Sequence, residues 1–272
     1  MIDVETRRKA AEKGNRNPRF LILIGLALVL EGGLASALAL AQSSSPANVF
    51  GSMSPKAAPP WVPQIRPGKN RTLWLARHQH NVEVAKAGNI DLLFLGDSII
   101  DRWTTVGKAV WDEEYAPVNA ANFGISGDRT QYLLWRIQNG ELEGLSPKLV
   151  VILIGTNNLA AAKAEDIARA IGVIVATVRG KLPTSNVLLL GILPRGAKPG
   201  DPKRDKINTV NSRIAQLASD PMVHYLDIGK VFLNSDGAIS PELMPDYLHP
   251  SAKGYQALVD AIRLPVGDLM GF

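Results

Sequence analysis

The stretch LLFLGDSI, Leu92–Ile99, decides the fold. Four apolar residues in a row, without alternation, fit a strand covered on both faces. The Gly-Asp-Ser behind them is a sound turn out of such a strand. The pattern recurs along the chain in NAANF (119–123), LVVILI (149–154), VLLLGIL (187–193) and VHYLDI (223–228). Helical periodicity fills the gaps: Ile167, Ala170, Ile171, Ile174 and Val178 share one face, as do Ile207, Val210, Ile214 and Leu217. Tyr255, Leu258, Val259 and Ile262 mark a last amphipathic helix, which Pro250 bars from extending backwards. Strand and helix alternating at this spacing predict an α/β protein, a parallel sheet with helices on both faces. Ligands bind such sheets beyond the carboxyl ends of the strands.

Small polar motifs occupy those ends. Gly96-Asp97-Ser98 follows the first run, Gly124-Ile125-Ser126-Gly127-Asp128 the second and Gly155-Thr156-Asn157-Asn158 the third. PDYLHPS (245–251) follows the fifth at a distance. Taken alone each is weak; Asp, Pro and Ser in the last also suit a helix cap. Together they hold what acyl transfer needs. Ser98 supplies a hydroxyl on a strand-to-helix turn, His249 a base for its proton, and Asp246 a carboxylate to orient the imidazole. The Ser98 and Gly124 amides and the Asn157 side chain can donate to a tetrahedral oxyanion. No phosphate-binding glycine loop of either common type is present, which argues against a nucleotide binder.

FLGDSI, NFGISGD, IGTNN and DYLHPS, in this order, resemble the Ser, Gly, Asn and His blocks of the GDSL/SGNH hydrolases. ANFGISGDRTQYLLWRIQNGELEG, LLGILPRG and PDYLHPSAKGY are similar to the branch holding the catalytic subunits of intracellular platelet-activating-factor acetylhydrolase and their bacterial relatives. The likeness spans roughly residues 70–265. It implies a flavodoxin-like three-layer α/β/α sandwich with a five-stranded parallel sheet. It also implies Ser98 as nucleophile, His249 as base, Asp246 as its partner, and Ser98, Gly124 and Asn157 as the oxyanion hole. Ile99 and Leu248 are then expected to line a small acyl pocket, with no metal or other cofactor. The activity so implied is hydrolysis of short, acetyl-type esters through an acyl-enzyme. A catalytically silent relative using the same cleft to bind a carbohydrate is the alternative.

Composition narrows the rest. The 272 residues carry 30 Lys and Arg against 25 Asp and Glu, with no basic run interleaved with aromatics, so nucleic acid is not an expected partner. Cysteine is absent, which excludes disulfides and thiolate chemistry. At the N-terminus a basic flank precedes FLILIGLALVL (20–30), and Ala39-Leu40-Ala41 reads as a cleavage site. Residues 1–41 are therefore expected to be an export signal, or an anchor if uncleaved, placing the enzyme in the periplasm or outside the cell. The animal acetylhydrolase subunits lack such a segment, so an acetylated sugar is as fitting a substrate as a phospholipid. Residues 42–69 read as a Ser/Pro/Ala-rich linker with Trp61 and Val62 against the domain edge, and residues 70–272 as the hydrolase domain, monomeric or homodimeric. His78 and His80 form a possible metal pair if that segment is extended, but a solvated role is favoured. Asp97 and Asp128 are expected to cap helices or pin loops. Trp103, Trp111, Trp135 and His224 are expected to pack.

Overall fold

The structure, a computed structural model, describes residues 58–272; the expected export signal and most of the linker lie outside them. Five parallel strands form one sheet: β1 (Leu92–Gly96), β2 (Ala120–Gly124), β3 (Leu149–Leu153), β4 (Asn186–Leu190) and β5 (Val223–Leu226), in the order β2-β1-β3-β4-β5. Their continuous apolar character follows from the two layers that cover them. Leu93 and Leu95 of β1, with Val150, Ile152, Val187 and Leu189, point into a core closed by four helices. These are α1 (Arg71–Ala87), α4 (Thr130–Gln138), α5 (Ala164–Lys181) and α6 (Pro202–Ile214). Leu92 and Phe94, with Leu149, Val151 and Leu188, point the other way, into a core closed by α2 (Ser98–Asp101), α3 (Lys108–Glu114) and α7 (Ala252–Met270). Trp103 and Trp111 are buried in this second core, whereas Trp135 half-covers a satellite cluster with Trp74.

Side chains set where elements stop. The expected strand 187–193 ends at Leu190 because Asn211 of α6 takes both the amide and the carbonyl of Ile192 (2.9 and 3.0 Å). The expected strand 223–228 ends at Leu226 because Asp227 turns to accept from the Gly229 amide (2.9 Å). Ser251 caps α7 by accepting from the Gly254 amide (3.1 Å), and Asp201 caps α6 through the Lys203 amide (2.9 Å).

Two departures from the sequence reading concern the N-terminal side. The segment holding His78 and His80 is helical, not extended, so the two imidazoles leave opposite sides of α1. His78 is buried against Glu141 (3.0 Å) while His80 is exposed, and they cannot pair on one metal. The linker also does not run free to residue 69. Pro60 accepts from Thr130 Oγ1 (3.0 Å), Gln64 donates to the Gln131 carbonyl (3.0 Å), and Trp61 lies under the Arg169 guanidinium, 4.2 Å from its ring centroid.

A buried charge network ties the first core together. Arg136 of α4, fully enclosed, pairs with Asp128 (2.8 Å to Nε) and with Glu141. Trp74 donates to Asp128 (2.7 Å), and Asn81 and His78 contact Glu141. Burial would drive each of these charges towards neutrality. For Glu141, Arg136 and His78 outweigh it and hold the carboxyl below its usual range. For Asp128, burial wins over Arg136 and Trp74, aided by the like charge of Glu141, and pushes it up to about 6. Removing the cation leaves two buried carboxyls without their countercharge, so Arg136→Met should lower unfolding free energy by ~3–5 kcal/mol in urea titrations. A loss below about 1 kcal/mol, the scale of a surface pair, would contradict this account.

Candidate active site

The sheet order places the ends of β2, β1 and β3 side by side, and their register aligns Gly96 with both Gly124 and Leu153. Ser98 opens α2, two residues past β1. Asp97 caps that short helix, its Oδ1 accepting from the Ile99 amide (3.0 Å). As a first-turn residue Ser98 has no intrahelical acceptor for its own amide. Its hydroxyl, almost fully buried, lies 2.9 Å from His249 Nε2. On the far side of the ring, His249 Nδ1 lies 2.6 Å from Asp246 Oδ2. The other carboxylate oxygen, Oδ1, accepts from the amides of Leu248 (3.1 Å) and His249 (2.7 Å). The three-residue spacing of Asp246 and His249 thus closes a small turn, with Tyr247 in the left-handed region (φ 57°). Partial burial would raise the Asp246 carboxyl. The His249 amide and ring and the Leu248 amide outweigh it and hold Asp246 below the usual carboxylate range.

Asn157 sits on a 3-10 turn, Thr156–Asn158, beyond β3. Its Nδ2 donates to the Asp128 carbonyl (2.9 Å), which fixes the amide and leaves its second proton to aim elsewhere. Gly124, expected to lend its amide to an oxyanion, is the last residue of β2. Its amide donates to Asn122 Oδ1 (2.9 Å), so that donor is already engaged within β2. The residue must be glycine for another reason: a Cβ there would fall 2.3 Å from the Asp101 amide of α2. Close approach of α2, rather than of a ligand, sets this requirement.

The two expected pocket residues are not alike. Ile99 is 2% exposed and belongs to the second core, its carbonyl accepting from Tyr255 OH (2.7 Å). Leu248 is half-buried on the turn between Asp246 and His249. A cavity of about 550 Å³ lies at the ends of β4 and β5, lined by Ile192, Pro194, Arg204, Asn211, Asp227 and Leu233 among others. It includes none of Ser98, Asp246 or His249, so the hydrogen-bonded triad of side chains lies apart from this cavity.

Several contributors to the site escaped the sequence reading. Asp101 accepts from the Ser126 hydroxyl (2.5 Å) and amide (3.2 Å), tying the loop after β2 to α2. Asn158 accepts from the Thr130 amide and donates to Thr130 Oγ1 and Gln131 Oε1 (3.0 Å each). Arg195 donates to the Thr156 carbonyl (3.2 Å). Asp97 and Asp128 cap and pin as expected. Their sequence signal was the Gly-Asp pair at each strand end; Thr130, Gln131 and Arg195 carried no such signal.

A hydroxyl, an imidazole and a carboxylate in hydrogen-bonded sequence at the end of a parallel sheet form an arrangement suited to acyl transfer. The chain belongs to the GDSL-like lipase/acylhydrolase family, whose model matches residues 94–257. It is 39% identical over 214 residues to platelet-activating factor acetylhydrolase IB subunit alpha1 of Bos taurus, covering 78% of this chain and 89% of that one. It is 39% identical over 221 residues to the alpha2 subunit of Rattus norvegicus, covering 81% and 93%. Among solved structures, a GDSL-like lipase from Bacteroides thetaiotaomicron superposes with a TM-score of 0.59 at 20% identity, covering 72% of this chain and 97% of that one. The acetylxylan esterase Axe2 from Geobacillus stearothermophilus superposes at 0.54 and 20% identity, covering 66% and 94%. The three-layer α/β fold and the ester-hydrolase class expected from the sequence are both borne out.

Asp97 offers a test of the site's electrostatics. Burial first, and then Asp128, push its carboxyl up to about 7 against the pull of the Ile99 amide and Arg195. A raised folded pKa means the native state binds the proton more tightly, so stability is lost as pH climbs from about 4, the unfolded value, to about 7. Asp97→Asn keeps a capping oxygen without the charge. Its melting temperature relative to wild type should therefore rise between pH 5 and pH 8 in calorimetric scans; a pH-independent difference would refute the assignment.

Proposed function

We propose that this protein is a serine esterase acting on short acyl, above all acetyl, esters through Ser98, His249 and Asp246. The observation that carries the reading is the unbroken chain from Ser98 Oγ to His249 Nε2 (2.9 Å) and from His249 Nδ1 to Asp246 (2.6 Å). In this reading Ser98 Oγ attacks the ester carbonyl carbon while His249 Nε2 takes its proton. The tetrahedral oxyanion is met by the Ser98 amide and the free proton of Asn157 Nδ2; Gly124 joins only by sharing its amide with Asn122. Collapse expels the alcohol, which takes the proton from His249 and leaves an acyl-Ser98. Water, deprotonated by the same imidazole, releases the acid and restores the hydroxyl. Asp246, kept ionised by its two amides, stabilises the imidazolium in both steps.

A small acyl group is supported by the relatives, which include acetylhydrolase subunits by name, and by a fold neighbour named as an acetylxylan esterase. The alcohol half is the hydroxyl of a carbohydrate or of another small alcohol. Export through residues 1–41, with Gln42 as the mature N-terminus, completes the reading; N-terminal sequencing of protein from cell fractions tests it.

Ser98→Ala should lower kcat on p-nitrophenyl acetate by at least about 10⁴-fold with thermal unfolding nearly unchanged, and His249→Ala should do the same. Turnover by Ser98→Ala close to wild type would reassign the nucleophile. A panel of acetylated xylan, acetylated monosaccharides and an acetyl phospholipid should rank the carbohydrate esters first; preference for the phospholipid would overturn that choice of alcohol.

A further inference from the structure

The segment Pro59–Arg66 precedes α1 and belongs to neither helical layer, yet its polar contacts converge on one loop. Pro60 accepts from Thr130 Oγ1 (3.0 Å), Gln64 donates to the Gln131 carbonyl (3.0 Å), and Arg66 Nη1 donates to the Ser126 carbonyl (2.6 Å). Arg66 lies across Gly127, where φ is +80° and a Cβ would sit 2.7 Å from the guanidinium. Trp61, under Arg169, pins the middle of the segment to α5. The loop these bonds grip, Ser126–Gln131, also holds the Asn157 turn. Asp128 accepts from Asn157 Nδ2, and Thr130 and Gln131 saturate the Asn158 amide. Thr130 Oγ1 is the joint, donating to Pro60 and accepting from Asn158.

Beyond Ile65, which packs against the cluster of Trp74, Ile125 and Tyr132, apolar burial does little to secure this segment. Val62 is 39% exposed, and a cavity of about 460 Å³ separates Pro60 and Trp61 from Asn158 and Asp166. Directional bonds hold it, so its influence is on the geometry of the loop more than on global stability. An oxyanion donor acts only where charge develops, and a displacement near 1 Å can cost on the order of 10²-fold in rate.

We propose that Pro59–Arg66 is a positioning strap: through Thr130, Gln131 and Asn158 it fixes the Asn157 amide, a role that rests on Asn157 being the oxyanion donor. Turnover therefore depends on a segment that lies upstream of α1, the first helix among the described residues.

The test uses the full chain carrying Arg66→Ala, Trp61→Ala, Thr130→Val or Thr130→Ser, with Ser98→Ala alongside and p-nitrophenyl acetate as probe. Interactions made only in the transition state move kcat and not KM. Arg66→Ala, Trp61→Ala and Thr130→Val should each lower kcat roughly tenfold with KM within about twofold. Thr130→Ser, which keeps the hydroxyl, should recover most of the rate even if its melting temperature falls with that of Thr130→Val. Three results would overturn the strap: wild-type kcat in the first three variants, KM rising with kcat unchanged, or no recovery in Thr130→Ser. If Ser98→Ala is inactive while these variants are normal, the strap alone fails. If Ser98→Ala retains turnover, the reading of the site fails and the strap falls with it.

Discussion

A guanidinium shut away from solvent governs the carboxyl edge of this sheet. Arg136 can stay charged there only if acceptors surround it, and three elements supply them: Asp128 from the loop after β2, Glu141 from beyond α4, and the Gly96 carbonyl (3.4 Å) at the end of β1. A surface ion pair tolerates loose geometry because water fills the gaps. An enclosed one does not, since each misplaced acceptor leaves desolvation uncompensated. The position of α4 against β1 is set by this demand, and so is that of Asp128. Because the Asp128 carbonyl receives Asn157, the constraint reaches Asn157 in two hydrogen bonds.

The strand order explains which groups meet cheaply and which need help. With β1 between β2 and β3, the loops that follow all three emerge together, and Ser98, Gly124 and Asn157 are neighbours by topology alone. His249 comes from beyond β5, at the far edge of the sheet, and must be carried back. The return path is pinned by Ile239 on Ala197 (3.1 Å), Ser240 on Phe232 (3.0 Å) and Gly196 on Tyr247 (3.1 Å). Tyr247 pays for its left-handed backbone with strain on the order of 1–3 kcal/mol, which Asp246 offsets by binding two amides and the imidazole at once.

Much of this was legible in residue order. Runs such as LLFL and LVVILI announce strands covered on both sides, and the Gly-Asp-Ser, Gly-Thr-Asn-Asn and Asp-x-x-His groups mark their ends. What stayed hidden depends on long-range pairing. Nothing local says that Asn122 captures the Gly124 amide, or that α2 needs Gly124 bare; both follow from strands that meet only in three dimensions. The helix α1 was missed because its apolar face is interrupted by His78 and Asn81, which serve Glu141 rather than the core. The end of the linker was misjudged because its composition lacks apolar bulk, whereas its attachment uses carbonyls and amides that every residue has.

Asp97, Asp128 and Asp246 differ in their surroundings, and that difference separates their roles. Asp97 and Asp128 are buried and pushed towards neutrality, Asp97 to about 7 and Asp128 to about 6. Asp246 is exposed and held below the ordinary range by the groups it binds. A carboxylate that stabilises an imidazolium must be charged when the proton arrives, and stabilising that charge at the surface costs less than stabilising it inside. Asp97 is nearer to Ser98 along the chain, but its oxygen is committed to the Ile99 amide and its environment disfavours ionisation. Divergence of the carboxyl environments therefore agrees with the 2.6 Å contact in favouring Asp246 as the partner of His249.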